Sequence, residues 1–364
     1  MKIPFLDLKA QYISIKKEIN LAINEVCEDT AFTNSPYVEK FENNFSRYCN
    51  TNYAVAVNSG TSALHLSMIA LGIGKDDEVI IPANTFIATA WAPSYVGATP
   101  IFVDCCPDTW QIDPEQIKKK ITNKTKAIIG VHLYGQPFDI DAVKEIAKEY
   151  NLFLVEDAAQ AHGSEYKRRR VGGFSEMACF SFYPGKNLGT YGEGGCITTN
   201  NQRYANRLRS LRNHGSTEKY YYDEIGYNMR MGGIEGAVLN IKLKYLDQWN
   251  RKRKEIAKVY HENIKNSKIK MQLQLDFTES IFHLFVVTTD NKNGFVKYLG
   301  ENNINAAFHY PVPCHLQKAY VHLNYKIGDF PNSEYLAAHC ISLPMYAELN
   351  EQDLYKVIDV INQY

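Results

Sequence analysis

The sequence predicts an α/β protein: a mostly parallel sheet of seven strands flanked by helices, with a smaller C-terminal α+β domain. The first observation behind this is a set of seven short apolar runs, at residues 53–57, 78–81, 100–103, 127–133, 152–155, 178–183 and 195–199, separated by helix-length amphipathic segments. Runs of that kind mark strands buried on both faces, hence a largely parallel sheet covered by helices. The second is a change of pattern near Gly232, where apolar residues recur at helical spacing: Ile234, Ala237, Val238, Ile241, Leu243, Leu246 and Trp249. The third is size and composition. With 364 residues, 45% hydrophobic and 22% charged, the chain is an ordinary globular protein long enough for two domains.

A segment rich in helix formers opens the chain. The run at 53–57 passes through Asn58-Ser59-Gly60-Thr61-Ser62 into a helix, and the run at 78–81 passes through Pro82 towards Asn84-Thr85-Phe86-Ile87-Ala88-Thr89. The run at 152–155 is closed by Glu156-Asp157, and the run at 178–183 leads into Pro184-Gly185-Lys186. Gly192-Glu193-Gly194-Gly195 precedes a strand instead of joining a strand to a helix. It therefore reads as a turn that lets backbone pass close to a site, not as a dinucleotide fingerprint. Lys219-Tyr220-Tyr221-Tyr222-Asp223 reads as an exposed loop, whose tyrosines either stack on a base or sugar or pack against a domain or partner. The helix begun near Gly232 bridges into the second domain, dividing the chain into a large domain, 1–245, and a small one, 246–364. There is no internal repeat and no low-complexity linker.

Composition narrows the function classes. Lys plus Arg and Asp plus Glu are equal at 40 each, so no global field favours nucleic acid or an acidic membrane, and an anionic ligand needs a local site. The N-terminus lacks the pattern of a signal peptide and no stretch is apolar enough to span a bilayer, so a cytoplasmic protein is expected. The eight cysteines are scattered without C-x-x-C spacing and read as reduced, mostly packed thiols. His132, His162 and His214 share no metal-ligand spacing, so no metal site is expected.

Four features fit one anionic aromatic cofactor, although each is ambiguous alone. The small residues of Asn58-Ser59-Gly60-Thr61 at a strand-to-helix turn expose N–H groups suited to phosphate, though a capped helix start needs no more. No Walker-type lysine follows. Asp157, at the carboxyl edge of a strand, is placed to keep a pyridinium nitrogen protonated, or merely to cap a helix. Lys186, amid Gly- and Pro-shaped backbone, is suited to partial desolvation and attack on an aldehyde, where a solvated lysine would need no such surroundings. Phe86 can stack on a ring, or be core.

In this order the motifs resemble the fold-type-I, pyridoxal-phosphate (PLP)-dependent sugar aminotransferases of the DegT/DnrJ family. The likeness runs from Pro4-Phe5-Leu6-Asp7-Leu8 through Asn58-Ser59-Gly60-Thr61, Glu156-Asp157-Ala158-Ala159-Gln160 and Ser181–Gly189 to Gly226-Tyr227-Asn228-Met229-Arg230-Met231, His309-Tyr310-Pro311 and Ser342-Leu343-Pro344. It implies that Lys186 forms the Schiff base, Asp157 pairs with the ring nitrogen, Gln160 lies near the ring hydroxyl and Phe86 stacks on the ring. Gly60, Thr61 and Ser181 would hold the phosphate, joined by Asn228 from a neighbouring subunit, which implies a homodimer with shared active sites.

The stretches 181–186 and 309–317 are most similar to members that aminate C-3 of a dTDP-linked 3-keto-6-deoxyhexose, with L-glutamate as donor, for surface glycan or other glycoconjugate synthesis. Tyr183, His309, Tyr310 and His315 are the expected substrate contacts. Met231-Gly232-Gly233-Ile234-Glu235-Gly236 and Cys314 depart from the family's commoner residues, the former at an expected subunit interface. The alternatives are amination at C-4 of a UDP- or dTDP-4-keto sugar and a PLP-binding regulator without turnover. A related dehydratase, with histidine in place of the lysine, is opposed by Lys186.

Overall fold

The structure, a computed structural model, describes residues 2–364. Its large sheet contains β1 (Tyr53–Val57), β2 (Glu78–Pro82), β3 (Thr99–Val103), β4 (Thr125–Val131), β5 (Phe153–Asp157), β6 (Met177–Ser181) and β7 (Gly195–Thr199). In space they lie in the order β1, β7, β6, β5, β4, β2, β3. β2 pairs in parallel with β3 and β4, and the parallel pairing continues through β5 to β6. β7 runs antiparallel to both of its neighbours, β6 and β1. The mostly parallel sheet of seven expected from the apolar runs is thus present, with one reversed strand. A parallel return needs a long crossover, usually a helix, and the 182–194 connection contains none.

Side-chain alternation along each strand divides the core in two. Ala54, Ala56, Ile80, Ile128, Leu154 and Phe180 face one cluster, built on Phe41 and Phe45 of α2 (Pro36–Tyr48). Val55, Val57, Val79, Ile129, Val155 and Cys179 face the other, with Leu64 and Leu66 of α3 (Gly60–Ala70) and Ala88 and Ala92 of α4 (Ile87–Tyr95). Both faces being covered explains why the strands are continuously apolar rather than alternating. Six of the eight cysteines are buried, and none is bridged.

Two apolar runs end earlier than their hydrophobicity suggests. β4 stops at Val131 because Tyr134 takes a left-handed conformation (φ 63°) in the following turn, and β6 stops at Ser181. The helical period beginning at Gly232 also breaks, into Gly233–Leu243 and Leu246–Asn263. At the break Tyr245 stacks on Trp249 with centroids 5.8 Å apart and donates its hydroxyl to Glu18 of the first helix, Leu8–Glu28. A straight helix would carry that ring elsewhere. The glycines that open the Gly233–Leu243 helix have a packing reason, since a Cβ on Gly233 would collide with the carbonyl of Ala31.

Beyond the break, a three-stranded antiparallel sheet of Lys270–Met271, Phe285–Thr288 and Cys340–Leu343 packs with Leu246–Asn263, Lys292–Glu301 and Glu351–Gln363 around a separate core. Ile3 joins this core, its N–H donating to Asn303 (2.8 Å) and its carbonyl accepting from Asn305 (3.0 Å). The start of the chain is therefore anchored on its C-terminal part, which carries Phe5 and Leu6 past the end of the large sheet. Among the described residues no helix is long and apolar enough to cross a membrane.

Candidate active site

The turns that follow the parallel strands share one edge of the sheet, where an α/β fold binds its ligands. A cavity of about 630 Å³ opens there. Ser59, Gly60 and Thr61 enter it after β1, Thr85 and Phe86 after β2, Leu133 after β4, Gln160 after β5 and Lys186 after β6, while Asp157 and Ser181 are the last residues of their strands.

At one end lies the N-terminus of α3. Ser59 caps it, its Oγ accepting from the Ser62 N–H (3.0 Å), which leaves the N–H groups of Gly60 and Thr61 without intrahelical partners. The turn presses against β6 and β7. A Cβ on Gly60 would sit 2.7 Å from Ser181 Cβ, and one on Gly195 would overlap the Ser59 carbonyl. Glycine at both positions lets the Gly60 turn, Ser181 and β7 close together, as the Gly192–Gly195 turn suggests. Two free N–H groups, the helix dipole and the Ser181 hydroxyl make an anion cradle.

Two adjacent carboxylates close β5 and have opposite environments. Burial pushes the Glu156 carboxyl up, but hydrogen bonds from His132 (3.1 Å), the Gly172 N–H (2.9 Å) and Ser175 (2.9 Å) outweigh it and hold the pKa below the usual range. Asp157 accepts from Thr89 (2.7 Å) and from the Ala159 N–H (3.2 Å), yet burial leaves its carboxyl above its ordinary value. Glu156 is satisfied by the protein around it. Asp157 lines the cavity and favours a cationic partner.

Lys186 projects from a braced loop. Its own N–H donates to Tyr183 (2.9 Å), and the next residue, Asn187, donates to Asn250 (2.9 Å) and Ile281 (3.2 Å). Lys242, from the Gly233–Leu243 helix, donates to Gly189 (2.6 Å). Burial lowers the Lys186 ammonium to about 8, while the charge of Asp157 works in the opposite direction. A lysine in this state is a nucleophile near neutral pH. Gln160 accepts from the Tyr134 N–H (2.6 Å) and donates to Tyr310 (3.0 Å), whose ring lies 5.4 Å from that of Phe86. Phe86 is 49% exposed, too open for a core residue, and forms part of the cavity wall.

Residues 13–362 match the DegT/DnrJ/EryC1/StrS aminotransferase family. The chain belongs to that family.

Three similar proteins place this aminotransferase more closely. It is 44% identical over 362 residues to the dTDP-3-amino-3,6-dideoxy-alpha-D-galactopyranose transaminase of Aneurinibacillus thermoaerophilus, with 100% of this chain and 99% of the other covered. Its fold superimposes with a TM-score of 0.98 on Streptomyces venezuelae DesV in complex with a ketimine intermediate, at 42% identity and with 100% and 98% of the two chains covered. The PLP form of the putative sugar aminotransferase Spr1654 from Streptococcus pneumoniae gives a TM-score of 0.90 at 26% identity, covering 100% and 97%. The aminotransferase is PLP-dependent and has the fold-type-I architecture. Its residues fit the cofactor: an anion cradle for a phosphate, an exposed aromatic face, a buried carboxylate in need of a cation and a lysine of lowered pKa line one cavity.

Of the expected substrate contacts, Tyr183, His309 and Tyr310 line the cavity. Burial pushes His309 down to about 4, and its Nδ1 is 2.8 Å from the Ser342 hydroxyl. His315 is not part of the cavity wall: the residue is 2% exposed, with its ring 3.1 Å from Glu334 and packed on Phe330. Asn228 is also absent from the wall of its own chain's cavity and accepts from Arg230 (2.9 Å). Tyr220, Tyr221 and Tyr222 stand exposed around a short hairpin, away from that wall. Sequence reasoning did not single out Leu6, Trp91, Arg253, His283 or Met345, all of which line it.

Proposed function

We propose that this enzyme aminates C-3 of a dTDP-linked 3-keto-6-deoxyhexose, using L-glutamate as the amino donor, in a homodimer with shared active sites. The observation that carries the aminotransfer reading is the meeting of Lys186, Asp157 and the Gly60–Thr61 N–H groups in one cavity. The identity to the A. thermoaerophilus transaminase supports C-3 and dTDP. PLP, when bound, supplies an aldehyde carbon and an electron-accepting ring.

The N–H groups of Gly60 and Thr61, with Ser181 Oγ, would bind the phosphate, and Phe86 would cover a face of the ring. Asp157 would hold the proton on the ring nitrogen, with Thr89 fixing one carboxylate oxygen. Gln160, fixed by Tyr134 and Tyr310, would meet the ring hydroxyl. Lys186 Nζ, once free, would take the proton from the α-carbon of the donor and pass it to the former aldehyde carbon of the cofactor, then in the second half move a proton from that carbon to the sugar carbon. Its value of about 8 suits both directions. His309, at about 4, and His283, which burial holds well below its ordinary value, remain neutral and do not add positive charge beside it. Asn228 would reach the phosphate cradle of the neighbouring subunit.

The test supplies the holoenzyme with L-glutamate and a dTDP-3-keto-6-deoxyhexose and follows 2-oxoglutarate together with the amino sugar. Release of both in equal amounts supports the reading. Cofactor binding without either product would contradict it.

A further inference from the structure

A buried guanidinium reaches the active-site cavity without an acidic partner. Arg253 lies on the inner face of the Leu246–Asn263 helix with Trp249, Ile256 and Tyr260, and only 5% of it is exposed. Its Nη1 donates to the carbonyls of Phe282 (3.2 Å), His283 (3.2 Å) and Met345 (2.9 Å). Nε and Nη2 have no acceptor among the described residues, yet neither is fully enclosed by protein. Arg253 forms part of the cavity wall, so the small surface it retains opens there. Among the described residues it takes part in no ion pair; Glu348 is the acidic group whose charge it feels. Burial lowers its pKa only to about 10, so it stays cationic.

A buried cation without a counterion is costly, and the missing partner is an anion that arrives with a ligand. The unused edge, Nε–H beside Nη2–H, is the side-on fork of arginine, matched to two oxygens of one planar group. His283 is near enough to feel the charges of both Arg253 and Lys186, so the fork lies in the neighbourhood of the reacting amine. The other anion-binding end of the cavity, at Gly60 and Ser181, is taken by the phosphate in the reading above.

We propose that Arg253 is the anchor for a carboxylate of the amino-acid donor, gripping it through Nε and Nη2 and so placing the donor's amino-bearing carbon beside Lys186. A single, nearly enclosed guanidinium balances one carboxylate, whereas a diphosphate brings more charge and more oxygens than one fork satisfies. This rests on the donor being an amino acid, as proposed above.

The test compares holoenzyme carrying Arg253→Lys or Arg253→Gln with the unmodified protein. Loss of the fork raises the KM for L-glutamate about tenfold to hundredfold and leaves the KM for the nucleotide sugar within about twofold. Arg253→Lys retains the charge while removing the fork, and serves if the Gln variant does not fold. A second measurement needs no turnover: glutarate, which has carboxylates but no amine, binds the unmodified holoenzyme by calorimetry and binds Arg253→Lys at least about tenfold more weakly. An unchanged KM for glutamate in folded variants, a rise confined to the nucleotide sugar, or equal glutarate binding by both proteins would overturn the assignment. Failure of the unmodified enzyme to use glutamate would count against the proposed function, while the calorimetry would still judge the anchor.

Discussion

Asp157→Asn moves two measurable quantities in opposite directions. In the unmodified protein burial brings Lys186 to about 8, while Asp157 pulls its pKa upward. At pH 7 roughly a tenth of such an amine is neutral, against about one part in three thousand for a free lysine, a gain of ~300-fold in the nucleophilic form. The rate at which apo-protein captures PLP therefore rises with pH through a midpoint near 8. With Asn at 157 the Coulombic support for the ammonium disappears, so the pKa falls further and the midpoint moves to lower pH. Transfer moves the other way. Without the carboxylate the ring nitrogen loses its charged partner, and turnover slows on the order of a hundredfold. The assay is stopped-flow absorbance of apo-protein mixed with PLP from pH 6 to 10, referenced to N-acetyl-lysine to cancel the ionisations of PLP itself, followed by steady-state transamination. A midpoint that stays put or rises in Asp157→Asn would refute the electrostatic argument, because general damage to the site would slow capture at every pH without displacing its midpoint downward.

Three further outcomes follow from the same geometry. Lys186→Ala abolishes both the visible absorbance of the bound cofactor and transfer; full activity in that variant would remove the assignment of the reactive amine. Gly60→Ala puts a methyl 2.7 Å from Ser181 Cβ, an overlap of the sort that costs about 1–3 kcal/mol and that must part the phosphate cradle. Equilibrium dialysis should show PLP bound at least about tenfold more weakly, and an unchanged affinity would mean that the cradle lies elsewhere. His315→Ala removes a buried ring paired with Glu334, so the melting temperature should fall by several degrees while the sugar KM shifts by less than about twofold. A large KM change at unaltered Tm would restore His315 to the substrate site.

How much was legible in the sequence depended on whether a signal was local. Gly60, Asp157, Ser181 and Lys186 could be read because each sits at the end of an apolar run, and the ends of parallel strands share one edge. The reversal of β7 was not stated by its apolar residues, which look the same in either direction, although the Gly192–Gly195 turn hinted at a tight return. Phe86 was ambiguous because an aromatic beside a strand serves equally as core or cavity wall. His315 is close in sequence to His309, yet only His309 lines the cavity. Only the packing against Phe330 and Glu334, from a later helix and the loop before it, shows which way the ring faces.

Arg253 carries a signal that is easily hidden by its neighbours. It lies within Arg251-Lys252-Arg253-Lys254, which looks like a solvated charged face. Yet Trp249, Arg253, Ile256 and Tyr260 recur at helical spacing, which puts this one arginine on the apolar side. Leu6, by contrast, reaches the cavity only because Ile3 is pinned beside Ile304. No pattern within the first ten residues encodes that long-range pairing.

Amination at C-3 of a dTDP-linked keto sugar is decided by product identity. Holoenzyme is offered L-glutamate with a panel of dTDP- and UDP-linked 3-keto and 4-keto hexoses, and each product is examined by mass spectrometry and NMR. A dTDP-linked 3-keto-6-deoxyhexose should be turned over in preference to the rest, with new nitrogen on C-3. Preferential amination at C-4, or turnover of UDP-linked sugars alone, would contradict it.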